Sequence, residues 1–227
     1  LIGQIGIAIG QPFILNGITK LVGDWFEKEH AAVATGIGTM GLFLGMALGL
    51  AITPWAVEAI GFTSTMTAFA VVTTVGCTAF LLLCSENPAP ASVGAIEDRS
   101  MGVYLTLLRN RNLALLFVLA LLGLGFFNGL TTWLEGILAP NGVDAVHAGL
   151  VGAALIASGI FGAIAIPALS DKMRRRKPFL LGCVAIALAA IYPLCTSENF
   201  GLLIGLAIVM GFFFLPAYAL LLEMTSE

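Results

Sequence analysis

The sequence predicts an all-α membrane protein of about seven transmembrane helices. Three observations carry that expectation. Of 227 residues, 59% are hydrophobic and only 10% are charged, where a soluble domain carries roughly 25% charged residues. The mean hydropathy is +1.03, more apolar surface than a soluble fold of this length can cover. Finally, charges cut the chain into uncharged runs at 1–19, 30–57, 59–85, 112–134, 145–170, 178–197 and 199–222. A hydrocarbon core is crossed by about 20 helical residues, so each run is of spanning length. Backbone polar groups in lipid must be satisfied within the segment. None of the runs alternates as membrane strands do, so helices follow.

The basic residues orient the spans. Lys20 and Lys28 flank the first connection. Arg99, Arg109 and Arg111 lie in the long third one. Lys172, Arg174, Arg175, Arg176 and Lys177 lie in the fifth. The remaining connections hold Glu58, Glu135, Asp144 and Glu198 and no Lys or Arg. Alternate connections face opposite sides, so the basic residues all fall on one side. By the positive-inside rule that side is cytoplasmic, with the first residue outside and the last inside. An integral, multi-pass protein of the cell or inner membrane is expected. The first apolar run lacks the basic start of a signal peptide. Both ends read as cut, so the sequence is expected to be a fragment.

The third connection, about 85–112, opens as the linker Ser85-Glu86-Asn87-Pro88-Ala89-Pro90-Ala91-Ser92. It closes on Tyr104–Arg111, an amphipathic basic stretch that reads as a short helix on the inner membrane face. The expected domains are therefore 1–84, three helices; 85–112, a cytoplasmic linker; and 113–227, four helices.

Within the spans, Gly41, Gly45 and Gly49 stand four apart, and Gly152, Gly159 and Gly162 recur in the fifth. Such spacing lines one helix face and lets a neighbouring backbone come close, for static packing or for sliding. Pro12, Pro193 and Pro216 interrupt apolar runs and are candidate kinks. Polar residues in lipid are costly and turn inward. Gln4, Gln11, Asn16, Asn128, Thr131, Thr132 and Ser158 are the candidates. Gln11, Asn16 and Asn128 would line a polar cavity; the alternative is interhelical hydrogen bonding, worth about 0.6 kcal/mol each. Glu135, beside Trp133, reads as a solvated carboxylate at the outer interface in preference to a cation or proton site. His30 and His147 read as solvated span ends. The four cysteines, Cys77, Cys84, Cys183 and Cys195, show neither disulfide nor zinc spacing. No cofactor, metal or nucleic-acid partner is expected.

The loop after the fifth span reads Pro167-Ala168-Leu169-Ser170-Asp171-Lys172-Met173-Arg174-Arg175-Arg176-Lys177. A carboxylate at a helix end followed by a basic cluster can lock helices through pairs that break and reform. This loop resembles the major facilitator superfamily's cytoplasmic signature, G-x-L-x-D-(R/K)-x-G-(R/K)-(R/K), through Leu169, Asp171, Lys172, Arg175 and Arg176. Pro167 and Arg174 stand where the family has glycine. The resemblance fits the weaker second copy of that signature and implies helices four to ten of a two-bundle, twelve-helix transporter. It makes Asp171, Lys172, Arg175 and Arg176 a conformational switch.

The stretch Gln11-Pro12-Phe13-Ile14-Leu15-Asn16, with Trp25-Phe26, Ala34-Thr35 and Gly41 to Pro54, is similar to the feline-leukaemia-virus receptor-related branch. So is Gly125-Phe126-Phe127-Asn128 with Thr132 and Leu134. That likeness implies a substrate cavity holding Gln11, Asn16, Phe43, Phe127, Asn128 and Thr132. Members linked to choline or haem carry glutamine where Phe43 stands and an aromatic where Asn128 stands, so their substrate does not carry over. The implied partners are a small organic solute, the lipid bilayer and a coupling ion left unidentified. Two other classes compete. A seven-helix receptor shares the topology but would need a D-R-Y-like third-span end or an N-P-x-x-Y in the seventh, and neither occurs. A membrane enzyme would need H-E-x-x-H, G-x-S-x-G or paired intramembrane aspartates, also missing.

Overall fold

The computed structural model describes residues 2–26, 28–83, 111–173 and 176–226. The expected linker and interfacial helix lie outside the described residues, apart from the end that begins the fourth helix. Long helices occupy the uncharged runs: α1 Ile2–Trp25, α2 Lys28–Ile60, α3 Phe62–Leu83, α4 Arg111–Leu138, α5 Ala145–Met173, α6 Arg176–Thr196 and α7 Phe200–Ser226. Among the described residues six of them, α2 to α7, are long and apolar enough to cross a membrane.

The breaks have local causes. Gly61 separates α2 from α3 at φ +80°, a left-handed conformation that suits glycine at a helix end. A tight turn, Ala139–Asn141, follows α4 and closes on Gly142 at φ +77°. Asn199 caps α7, its side-chain oxygen accepting from the Gly201 and Leu202 amides at 2.9 and 3.3 Å. Pro54, Pro167, Pro193 and Pro216 all sit inside helices that continue through them.

The chain forms two compact units: Leu1–Leu42 with Met66–Asp98, and Phe43–Thr65 with Arg99–Glu227. In the first, Val22 is buried, and a Cβ on Gly38 would lie 2.7 Å from Ile18 Cγ2, so α1 and α2 approach there.

The second unit holds the main core. The buried residues fall three or four apart on each helix: Phe127, Leu130, Leu134 and Leu138 on α4, and Ala148, Val151 and Leu155 on α5. Cys183, Ala187, Ala190 and Leu194 do the same on α6, and Leu203, Ala207 and Met210 on α7. That spacing is one stripe of a 3.6-residue helix. The other faces expose large apolar side chains such as Trp133 and Leu188. In a bilayer such surface needs no cover, since lipid tails are as apolar as leucine.

Helices α5 and α7 meet backbone to backbone. A Cβ on Gly159 would sit 2.8 Å from Leu215 Cδ2 and 3.0 Å from the Gly211 carbonyl oxygen. One on Gly162 would overlap the Phe212 carbonyl, and one on Gly211 the Leu155 carbonyl. The close backbone approach expected at Gly159 and Gly162 is thus present, while a Cβ on Gly152 would meet the Leu134 and Leu50 side chains at 3.1 Å. At Gly41, Gly45 and Gly49 it is not: among the described residues nothing lies within 4 Å of an added Cβ. A glycine repeat permits a contact without supplying the partner.

The connections are also tied. The Asn141 amide donates to the Cys195 carbonyl at 2.8 Å, joining the α4–α5 turn to the end of α6. Asn141→Ala removes that bond and strands a half-buried carbonyl, so a loss of about 1 kcal/mol is expected in chemical unfolding of the reconstituted protein. Beside it, Asp144 and His147 are hydrogen-bonded at the start of α5. Hydrogen bonding with His147 holds the Asp144 carboxyl below its ordinary range. The His147 ring meets Phe200 edge-on, with centroids 4.6 Å apart.

Candidate functional site

Polar residues on α4 gather on a face beside its core stripe. Asn128, Thr131, Thr132 and Glu135 stand at helical spacings of three, four and seven, so one side of the helix carries them all. They line a cleft of about 470 Å³ within the second unit, a volume typical of small-molecule sites. Across from them α2 contributes Met46, Leu50, Thr53 and Pro54. The start of α5 completes the lining with Ala148 and Gly149. A Cβ on Gly149 would overlap the Leu50 carbonyl oxygen and lie 3.0 Å from Pro54 Cγ, so the bare backbone lets α2 and α5 touch beside the cleft. Gly49 also lines the cleft, and among the described residues nothing lies within 4 Å of a Cβ added there.

The polar groups are largely satisfied within their own helices. Thr131 donates to the Phe127 carbonyl at 2.9 Å, Thr53 to Gly49 at 2.6 Å, and Asn128 Nδ2 to Leu124 at 2.9 Å. Ser158 does likewise with Leu155 at 2.9 Å. Such back-bonding lets hydroxyls and amides sit in apolar helices without a partner from a neighbour. These intrahelical bonds stand where interhelical bonding was weighed from the sequence, while Asn128, Thr53 and Thr131 still line the cleft.

Of the residues singled out by resemblance, the structure brings Asn128 and Thr132 together in the cleft. Phe43 is half-buried and packs against the second unit's core. Phe127 is buried and stacks on Phe214, with centroids 5.8 Å apart and planes 12° apart. Gln11 is exposed on α1. Asn16 lies on the same helix, its side chain outside the described residues. In the loop, Lys172 is exposed in the last turn of α5. Asp171 belongs to α5 and Arg176 begins α6, with side chains outside the description; Arg175 lies wholly outside it.

Three polar lining residues, Thr53, Thr131 and Glu135, were not among the expected cavity residues. Glu135 was legible from its spacing to Asn128, which puts both on one face. Thr53 carried no sequence signal, because only the fold sets it opposite α4.

A profile of the Major Facilitator Superfamily matches residues 1–227. An uncharacterized protein of Archaeoglobus fulgidus is 38% identical over 130 residues, covering 57% of this chain and 60% of that protein. Solute carrier family 49 member A3 of Xenopus tropicalis is 30% identical over 193 residues, covering 81% of this chain and 39% of its own. The choline/ethanolamine transporter flvcr2a of Danio rerio is 25% identical over 234 residues, covering 94% of this chain and 50% of its own. The chain spans about half the length of the curated relatives it matches.

Proposed function

The chain belongs to the major facilitator superfamily, and on that premise we propose that it forms part of a secondary transporter moving a small organic solute by alternating access. The polar cleft along α4 carries this reading: within otherwise apolar helices, it offers an amide, hydroxyls and a carboxylate to a solute. The names of the relatives, a choline/ethanolamine transporter and solute carriers, support it. They disfavour the receptor and enzyme readings. In the proposed arrangement, residues 1–84 give three helices of one bundle and residues 113–227 four of the other, with 85–112 as the cytoplasmic linker. The bundles rock about a midplane cavity, and Asp171, Lys172, Arg175 and Arg176 form a switch at the inner face. Gln11, Asn16, Phe43, Phe127, Asn128 and Thr132 are the cavity residues of this proposal.

The test is uptake by proteoliposomes of the whole parent polypeptide against a panel of small organic solutes that includes choline and ethanolamine. Saturable uptake of one member supports the reading; none taken up or bound sinks it. The orientation has its own test. With native cysteines replaced, Lys172→Cys in intact cells should resist an impermeant maleimide until the cells are opened. Glu198→Cys should react at once. The reverse pattern overturns the assigned topology.

A further inference from the structure

Two contacts sort the helix ends of the second unit onto two rims. Asn141, in the turn after α4, bonds Cys195 in the last turn of α6. His147, near the start of α5, meets Phe200 at the start of α7. The opposite rim therefore gathers the start of α4, the end of α5, the start of α6 and the end of α7. The sequence charges the two rims differently. It supplies Glu135, Asp144 and Glu198 and no Lys or Arg toward the first. Toward the second it supplies six Lys and Arg, at 111, 172 and 174–177, against Asp171 and Glu223.

On this second rim each exposed cation heads an exposed apolar stripe. On α6, Lys177, Leu181, Val184, Leu188 and Tyr192 are all exposed, Leu181 by 70%. Steps of three and four keep them on one face, away from the buried Cys183, Ala187 and Ala190. At 1.5 Å per residue the stripe runs about 22 Å from the lysine. On α5 exposed Lys172 stands three residues past exposed Leu169, and on α4 exposed Arg111 stands four before exposed Leu115. Lysine and arginine at a helix end carry their charge to the headgroup level. A bare apolar stripe below a cation matches a lipid, chain along the helix and phosphate on the charge. A free phosphate would leave the stripe unused, and an acidic protein could not reach it. A zwitterionic headgroup brings an ammonium that the surplus of cations repels. We propose that this rim is a docking surface for anionic phospholipid, with Lys177, Lys172 and Arg111 meeting the headgroup phosphates and the acyl chains lying on the stripes beneath them.

The test uses the whole parent polypeptide in neutral detergent micelles, titrated with dioleoylphosphatidylglycerol, dioleoylphosphatidylcholine and glycerol 3-phosphate and followed by native mass spectrometry. Phosphatidylglycerol should be held about tenfold more tightly than phosphatidylcholine, and glycerol 3-phosphate should neither bind nor compete. Each cation beside an anionic headgroup contributes about fivefold. Lys177→Gln should therefore weaken phosphatidylglycerol about fivefold, and the triple variant Arg111→Gln, Lys172→Gln, Lys177→Gln about thirtyfold or more. Phosphatidylcholine binding should not change, nor should the thermal midpoint in phosphatidylcholine nanodiscs. Lys177→Arg should keep the parent's affinity. The two lipids held alike, glycerol 3-phosphate displacing phosphatidylglycerol, or a triple variant within twofold of the parent would overturn the proposal. So would a loss from Lys20→Gln, outside the rim, as large as that from Lys177→Gln, since only the general field of the basic residues would then be at work. The parent's own ranking of the three probes decides the matter even where a variant fails to fold.

Discussion

Valine in place of Gly211 is expected to drive α7 away from α5 and cost the reconstituted protein about 3 kcal/mol or more, at or above the usual range for overpacking. The reason is what the new side chain would meet. Its Cβ would overlap the Leu155 carbonyl and lie 2.5 Å from the Ser158 hydroxyl oxygen. Neither can yield cheaply: one is helix backbone, and the other is bonded to that same Leu155 carbonyl. Gly162 presents the same constraint from the opposite helix, against the Phe212 carbonyl. Relief therefore requires moving a whole helix. Gly205, also on α7, is the control: nothing lies within 4 Å of its added Cβ. Gly205→Ala should be neutral, or stabilising by up to about 1 kcal/mol through helix propensity. Unfolding of both variants by SDS titration, followed by circular dichroism, measures the difference. Equal stabilities would mean that α5 and α7 do not meet on bare backbone.

The seam shows what could be read from the residues and what could not. Helices at the seven apolar runs were legible because charge and length alone delimit a span, and Gly61 and Gly142 mark ends where only a left-handed residue suits. The buried stripe was harder to find. In α6 the core positions Cys183, Ala187 and Ala190 are no more apolar than exposed Leu181 and Leu188. Hydropathy thus carries no direction where both lipid and protein are apolar. Size carries it instead: small residues mark the faces on which helices touch. That signal identified Gly159 and Gly162, while among the described residues nothing fills the room at Gly41 and Gly45, because a small residue leaves room without determining what fills it. The cleft was half legible. Asn128 and Thr132 stood out as polar residues in an apolar run, and Glu135 shares their face by spacing. Thr53 depended on the approach of α2 to α5 at Gly149, a long-range contact with no local trace.

The other large effect expected is on rate, not on stability. Asp171 lies in the last turns of α5, where the helix dipole presents its negative end. A carboxylate there is disfavoured by about 0.3–1 kcal/mol unless a cation answers it. The sequence supplies five at once, Lys172, Arg174, Arg175, Arg176 and Lys177. Under the proposed switch, such a charge has a partner that it holds in one state and releases in the other. Asp171→Asn should then leave the thermal midpoint unchanged or slightly raised, because an unfavourable dipole contact is removed. Uptake of whichever solute the panel identifies should fall tenfold or more. One charge-assisted bond is worth about 1.5–3 kcal/mol, and a shift of about 1.4 kcal/mol in the balance of two states is already tenfold. Lys20→Gln, an exposed charge on α1 outside the basic cluster, is the control and should change uptake by less than twofold. A purely structural Asp171 would show the opposite split, with a lowered midpoint and a rate per folded molecule close to that of the parent.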